Sequence, residues 1–341
     1  VLFRSYLRET VMHEVGHALG LRHNFRASRV YTEAQLADEA FTREHGIAGS
    51  VMEYTAINLS RPGERHGTPF QATLGPYDYW AIEYAYKPLA PAEEKSALQH
   101  IAARSSEPAL AFGTDEDNAF GLDPETVQLD LGDDPIAFAA KRLAIACDLF
   151  QRQETRSLPP DSDYAVLRRS ISFGLADVWR AVALMARQIG GVRTLRDFPG
   201  SGRDPLQPVD VAVQRRALDE ILRVAVSADG LALSPALQRR LAPDYLERSE
   251  FQIATDFGLP QRLLDLQRSV VAFLLSEGLA ARVLDSTDKL DNPARALPLA
   301  ELYAKLTRAV WSELDGRGSI APARRELQRR SEEHTSELQS H

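Results

Sequence analysis

The stretch that decides the fold of this chain is residues 13–23, which read HEVGHALGLRH. His13 and His17 are four residues apart, so on a helix their imidazoles project from one face, about one turn apart. That separation lets both rings reach one metal ion at roughly 2.0–2.1 Å. Gly20 is predicted to end the helix and let the chain bend, which brings His23 to a third ligand position. The stretch therefore predicts one zinc ion held by His13, His17 and His23.

Three protein ligands leave an open coordination position, which is typical of catalytic zinc, whereas structural zinc usually has four protein ligands. Glu14 follows His13 directly and can accept a proton from a water whose pKa zinc lowers to about 7. The alternative is a chance pair of histidines on a solvated helix face. Because Gly20 and His23 stand at the required offsets, we favour the zinc site, with Glu14 as general base.

A second motif, SVMEY, occupies residues 50–54, and its methionine lies 29 positions after His23. Together with residues 13–23 it resembles the metzincin clan of metalloproteases, in which a Met-turn places an apolar methionine beneath the zinc ligands. The resemblance assigns that role to Met52, against the alternative of an ordinary core methionine. It offers two roles for Tyr54, a switchable fifth ligand or a hydroxyl that stabilises the oxyanion. A tyrosine that only packs is the alternative.

Within this clan, the amino-acid sequence of these motifs is closer to that of one bacterial subgroup of large zinc-dependent metalloproteases. Its matching segments are residues 13–28, 50–54 and 74–88, with weaker matches at 114–117, 190–192 and 266–270. The resemblance implies a catalytic domain divided by its cleft, with a sheet-containing upper subdomain before the active-site helix and a mostly helical lower subdomain after it. It also implies an exported protein, periplasmic or extracellular, that cleaves protein or peptide substrates. Glu53 departs from the aspartate that is common there.

We therefore expect an α+β metzincin-like catalytic domain, represented here only by its mostly α lower subdomain and followed by an all-α helical region. Residues 1–5 and 330–341 resemble translated sequencing adapter, so the chain is interpreted as an internal piece of a longer protein; genuine polar termini are the alternative. Five divisions are expected along the chain. They are adapter (1–5); the active-site helix together with the Met-turn and the lower subdomain (6–90); an acidic loop-rich linker (91–134); a helical C-terminal region (135–329); and adapter (330–341).

Apolar residues at three- and four-residue steps predict the helices. In the first, residues 6–20, the stripe consists of Leu7, Val11, Val15 and Leu19. The other predicted helices are 32–44, 77–86, 92–104, 135–154, 163–189, 208–226, 234–248, 260–284 and 297–315. A short strand is allowed for within 190–208. Asp78 is expected to pack the aromatic helix 77–86 rather than contact substrate.

Composition narrows the classes of partner. The formal net charge of −8 over 341 residues argues against a nucleic-acid partner, because phosphate binding needs a basic surface. No run of about 20 apolar residues occurs, so no membrane span is predicted. The acidic stretches 115–117 and 130–134 could bind Ca²⁺, but they lack the spacing of an EF-hand loop, and solvated loops are favoured.

The leading functional hypothesis is a zinc-dependent endopeptidase. One alternative is a helical interaction module with a vestigial or structural zinc site, which would not need Glu14. Another is a chain that is inactive because it lacks the substrate-aligning sheet.

Overall fold

The computed structural model describes residues 2–121, 123–227, 231–244, 256–315, 320 and 322–339. The chain is 60% helical, and its described strands form a single two-stranded sheet. Contacts divide it into two compact units. The first comprises Val1–Phe138 and Gly191–Val209, and the second comprises Ala139–Gly190 and Asp210–His341. The segment 191–209, which the sequence grouped with the helical region, thus belongs to the first unit.

The helices of the first unit are short after the first one. They are α1 (Leu2–Ala18), α2 (Glu33–Leu36), α3 (Glu39–His45), α4 (Pro76–Tyr86), α5 (Glu94–Ala102) and α6 (Asp115–Phe120). The single helix expected at 32–44 is two helices, because Thr32 caps α2 and the Asp38 carboxylate accepts from the first backbone N–H groups of α3. Residues 46–75, between α3 and α4, form turns, bends and extended segments.

The core of the first unit is built mostly from its irregular segments. Fully buried large side chains here are Phe25, Leu36, Ile47, Met52, Leu131 and Ile136. The short strand that was expected within 190–208 is present as part of a hairpin. In it, β1 (Val192–Thr194) pairs antiparallel with β2 (Leu206–Pro208), with Arg193 opposite Gln207. The mostly α architecture expected from the sequence is therefore confirmed, and loops carry much of the core.

The second unit is helical, and α7 enters it from the first unit. Its helices are α7 (Pro135–Thr155), α8 (Ala165–Ala186), α9 (Val211–Ile221), α10 (Pro235–Gln238), α11 (Leu259–Leu274), α12 (Glu277–Thr287), α13 (Leu299–Val310) and α14 (Pro322–Gln339). A π-helical turn, Leu222–Val226, extends α9. The apolar residues that recur at three- and four-residue steps in α8 are all buried: Leu167, Ile171, Leu175, Val178, Val182 and Met185.

Two helix predictions in this unit need correction. The helix expected at 260–284 is α11 and α12, because the Ser276 hydroxyl accepts from Leu279 N and starts a new helix. Of the helix expected at 234–248, only Pro235–Gln238 is helical within the described residues, and positions 245–248 lie outside them. No helix in the described part of the chain is long and apolar enough to cross a membrane.

The apolar stripe of α1 is not its buried face. The helix is present, but the side chains of its apolar stripe (Leu7, Val11, Val15 and, just beyond its end, Leu19) are 41–59% exposed. The buried residues of α1 are His13 and Gly16. The stripe therefore predicted the helix but does not coincide with its inward face, because the polar site described next lies on that face.

Candidate metal centre

The end of α1 and the bend after it bring three imidazoles together. Gly20 has a φ of +85°, a conformation that favours glycine, and its N–H donates to His17 O at 2.9 Å. The bend predicted at Gly20 is thus present. It reverses the chain so that His23 returns to the face of the helix that carries His13 and His17.

The ring nitrogens of the three histidines converge. One ligand atom from each of His13, His17 and His23 can be chosen so that all lie within 4.8 Å of one another, and no other group of three or more His, Cys, Asp or Glu does so in the described part of the chain. His17 Nε2 and His23 Nε2 are 3.2 Å apart. Two nitrogens bound tetrahedrally to one zinc ion would be roughly 3.3 Å apart. The spacing fits a zinc ion.

The second nitrogen of each ring has an oxygen partner. His13 Nδ1 lies 2.8 Å from Val51 O, His17 Nδ1 3.0 Å from Leu21 O, and His23 Nδ1 3.0 Å from each carboxylate oxygen of Asp115. Carbonyl and carboxylate oxygens only accept, so Nδ1 of each ring carries the proton and Nε2 keeps its lone pair. That tautomer leaves the three Nε2 atoms free to bind a metal ion.

His13 provides a further test of the fit. Its Nε2 is buried and makes no hydrogen bond to any described residue. Burial lowers the pKa of His13, and the neighbouring His17 and His23 lower it further, against the opposing effects of the Val51 carbonyl and of Glu14. The ring is therefore kept neutral, which is the form that binds metal. His13 therefore offers a neutral ring whose Nε2 has no other partner and lies near the ring nitrogens of His17 and His23, which suits a zinc ligand.

Met52 lies directly against α1. The side chain of Met52 is fully buried, and a Cβ added at Gly16 would lie 2.2 Å from its Sδ. Only glycine allows this approach. Gly16 was missed in the sequence, although a glycine in mid-helix, about 1 kcal/mol less favourable than alanine, is the signal that could have revealed it.

The turn that carries Met52 is held by Asp78. Ser50 Oγ donates to Asp78 Oδ1 at 2.6 Å, and the backbone N–H groups of Val51 and Gly75 donate to Oδ2 at 2.9 and 2.8 Å. Burial raises the pKa of Asp78, and these three hydrogen bonds oppose that shift. Asp78 was expected only to pack α4. It also fixes residues 50–52, whose Val51 carbonyl in turn accepts from His13.

Glu14 and Tyr54 flank the histidines. Glu14 is exposed on α1 next to His13. The ring of Tyr54 is stacked on His13 at a centroid distance of 5.0 Å and tilted against His23 at 4.5 Å. Burial raises the pKa of the Tyr54 phenol, and the charges of Glu14 and Asp115 raise it further. The structure thus groups all five predicted polar residues, with a protonated phenol beside the imidazoles.

The acidic stretch 115–117 contacts protein groups around this centre. Asp115 contacts His23, Glu116 binds Arg22 at 2.7 Å, and Asp117 binds Arg196 at 2.7 Å. In the stretch 130–134, Asp130 pairs with Arg29 at 2.9 Å, and Asp134 accepts from the first N–H groups of α7. Residues 115–117 thus begin a helix where a loop was expected, and the contacts of both stretches give no support to a calcium site.

Comparison with known proteins agrees with the geometry. The Met-zincin family matches residues 1–318, nearly the whole chain. No curated protein and no solved structure matches it. Met-zincins are metalloproteases, so the match implies zinc and a peptide substrate. With the three converging histidines, this match shows that the chain belongs to the Met-zincin family.

Proposed function

We propose that this protein is a zinc-dependent endopeptidase in which His13, His17 and His23 hold the metal ion and Glu14 is the general base. The observation that carries the proposal is the convergence of three Nε2 atoms, each left unprotonated because Nδ1 donates to an oxygen. The metal, when bound by three histidines, would supply Lewis-acid chemistry at an open position and lower the pKa of a water there to about 7.

Glu14 is suited to move the proton. Its carboxylate is exposed and adjacent in sequence to a buried ligand, so it can face substrate while α1 holds its backbone. In the proposed reaction it accepts a proton from the attacking water and passes that proton to the leaving amine of the peptide. A positioned carboxylate in this role contributes roughly 10²–10⁴-fold to the rate.

Tyr54 is proposed to stabilise the oxyanion that forms on the substrate carbonyl. Its ring lies against two of the three histidines, and its raised pKa keeps the hydroxyl protonated and able to donate. Residues 50–54 would then act as the Met-turn, with Met52 as an apolar floor pressed against Gly16. This deepens the role that the sequence suggested for both residues.

Export to the periplasm or the extracellular space is a further part of the proposal. It follows from the resemblance of the sequence to exported metalloproteases. Locating the protein in cell fractions tests it independently of the chemistry.

The experiment that tests the chemistry is the variant Glu14→Gln. We expect casein cleavage to fall by at least about 10²-fold while the chain still binds one zinc ion, because the amide cannot accept the proton and the three histidines are untouched. The matched control is Glu44→Gln on α3, whose side chain is 78% exposed and whose change should leave cleavage unaltered.

Two results would contradict the proposal. If Glu14→Gln cleaves as fast as the parent chain, Glu14 is not the base. If the parent chain binds zinc and cleaves nothing, this chain is not an active endopeptidase, which leaves the two alternatives of a structural or vestigial zinc site and of a chain inactive without its substrate-aligning sheet.

A further inference from the structure

We propose that Asp115 is a positioning residue for the metal site: its carboxylate fixes the ring of His23 and strengthens Nε2 as a ligand. The inference rests on the proposed function in one respect, since it takes His23 to be a metal ligand. It assigns a role to a residue 92 positions away in sequence, within a stretch that looked like a solvated loop.

His23 needs such a partner more than the other two histidines do. His13 and His17 project from α1, so the helix fixes their backbone. His23 follows the bend at Gly20 and lies in an irregular segment, where no helix fixes the direction of its ring. The ring packs against Tyr54 and Phe25, and its Nδ1 is held by a hydrogen bond that Asp115 accepts with both oxygens at 3.0 Å.

The chemical nature of this acceptor sets His23 apart. Nδ1 of His13 and of His17 lies against a neutral backbone carbonyl, whereas Nδ1 of His23 lies against a carboxylate. A charged acceptor makes a stronger hydrogen bond than a neutral one and increases the basicity of the imidazole, so Nε2 becomes the better donor to a cation. Asp115 also places one negative charge beside three neutral ligands.

Asp115 itself is held firmly at this position. It begins α6, and the segment before it is bonded to the chain just after His23. Phe25 N donates to Gly113 O at 2.7 Å, Gly113 N donates to the Asn24 side-chain oxygen at 3.2 Å, and Asn24 Nδ2 donates to Ala111 O at 3.0 Å. The two segments therefore move as one piece, and the carboxylate remains opposite the ring.

The neighbouring Glu116 provides a matched control. It lies on the same helix and contacts the same loop, but through Arg22, and both side chains of that pair are more than half exposed. Loss of an exposed ion pair of this kind changes stability little, because water screens both charges. A general loosening of the loop would follow from either change, whereas only loss of Asp115 removes the acceptor from His23.

The experiment measures zinc affinity by competition with a chelator for the parent chain and for Asp115→Ala, Asp115→Asn, Asp115→Glu and Glu116→Gln. We expect a loss of roughly 10–100-fold for the alanine and asparagine variants, partial recovery with glutamate, and a change within about threefold for Glu116→Gln. The visible spectrum of the Co²⁺-loaded chain should change in the same order, because it reports the ligand geometry directly.

The outcomes separate this inference from the protease proposal. An Asp115→Asn variant with the zinc affinity and Co²⁺ spectrum of the parent chain overturns the inference, as does a loss of zinc affinity in Glu116→Gln equal to that in Asp115→Asn. Circular dichroism of each metal-free variant identifies any that fails to fold. If Asp115→Ala or Asp115→Asn fails to fold, the zinc affinity of Asp115→Glu is the test. If the affinities follow the expected order but the parent chain cleaves nothing, the protease proposal fails and the role of Asp115 stands. A parent chain that binds no zinc overturns both.

Discussion

Helices α1 and α8 show the same apolar pattern and use it in opposite ways. Both repeat apolar residues at three- or four-residue steps. In α8 that stripe is the buried face, whereas in α1 it is exposed and the buried residues are His13 and Gly16. Periodicity located both of these helices, but it identifies the inward face only where apolar burial is the force that holds the helix.

The inward face of α1 is held by other forces. Glu9 accepts from Thr55 Oγ1 at 2.8 Å and from Gln71 N at 3.3 Å, and His13 Nδ1 donates to Val51 O. Gly16 lets Met52 approach. The helix is therefore fixed by hydrogen bonds and by packing of Gly16 against Met52 and of His13 against Tyr54, on the face that carries His13 and His17. The contrast with α8 can be tested by substitutions that are matched between the two helices.

The largest expected effect on stability comes from truncating an apolar side chain on the α8 stripe, compared with the same kind of truncation on the α1 stripe. Ile171→Ala in α8 removes a fully buried side chain and should lower the free energy of unfolding by about 2–5 kcal/mol. Val11→Ala in α1 should change it by no more than about 0.5 kcal/mol, because the valine is mostly exposed. Urea unfolding of both variants measures the difference. Equal losses would mean that the α1 stripe is also packed.

A glycine substitution in α1 should have an intermediate effect. Gly16→Ala forces a Cβ to within 2.2 Å of Met52 Sδ, and overpacking of this kind costs about 1–3 kcal/mol, partly offset by up to about 1 kcal/mol of helix propensity. We expect reduced thermal stability and weaker zinc binding.

Gly278→Ala in α12 is the control for this substitution, since a Cβ there meets nothing within 4 Å. It should be neutral or slightly stabilising. A Gly16→Ala chain that is as stable as the parent, with unchanged zinc affinity, would show that Met52 moves aside freely.

The smallest effect concerns the pH dependence of the α1 contact. Burial raises the pKa of Glu9, against the hydrogen bonds from Thr55 and Gln71, so the folded chain binds this proton more tightly than the unfolded chain. The stability that Glu9 contributes is therefore fully present below its ordinary pKa of about 4.5 and is lost as the pH rises through the raised value.

Glu9→Gln keeps an acceptor oxygen and removes the titration. The unfolding free energy of the parent chain minus that of the variant should therefore fall between pH 4 and pH 7. Urea unfolding of metal-free protein at several pH values measures this difference. A difference that is constant with pH would exclude a raised pKa at Glu9, and Ile171→Ala should show such constancy because it changes no titratable group.

The features that could be predicted from the sequence are those formed by residues close together in it. The positions of His13, Glu14, His17 and His23, and the bend at Gly20, follow from helix geometry and from the freedom of glycine at positive φ. The grouping of these residues needs no distant part of the chain, which is why it could be predicted. The buried stripe of α8 is local in the same sense.

What the sequence did not predict depends on long-range contacts. Asp115, Asp78 and Val51 supply oxygens or hydrogen bonds that position the histidines and the turn, and each is far in sequence from the group it contacts. Any exposed acid or backbone carbonyl could have had these roles as judged from the sequence alone. Only the path of the chain selects among them, as it also selects the inward face of α1.

Because His23 pairs with Asp115, we expect metal binding to depend on the tertiary fold as well as on the local motif. The motif at 13–23 is local, but its third ring is oriented by a carboxylate across a loop of about 90 residues. Closing that loop costs entropy, which the folding of the whole chain must offset, and a short peptide has no such carboxylate. A peptide cut from 2–26 should thus bind zinc more weakly than the whole chain does. In the whole chain we expect zinc uptake during refolding to depend on the docking of α6 as well as on the formation of α1, so the metal would act as a probe of tertiary assembly.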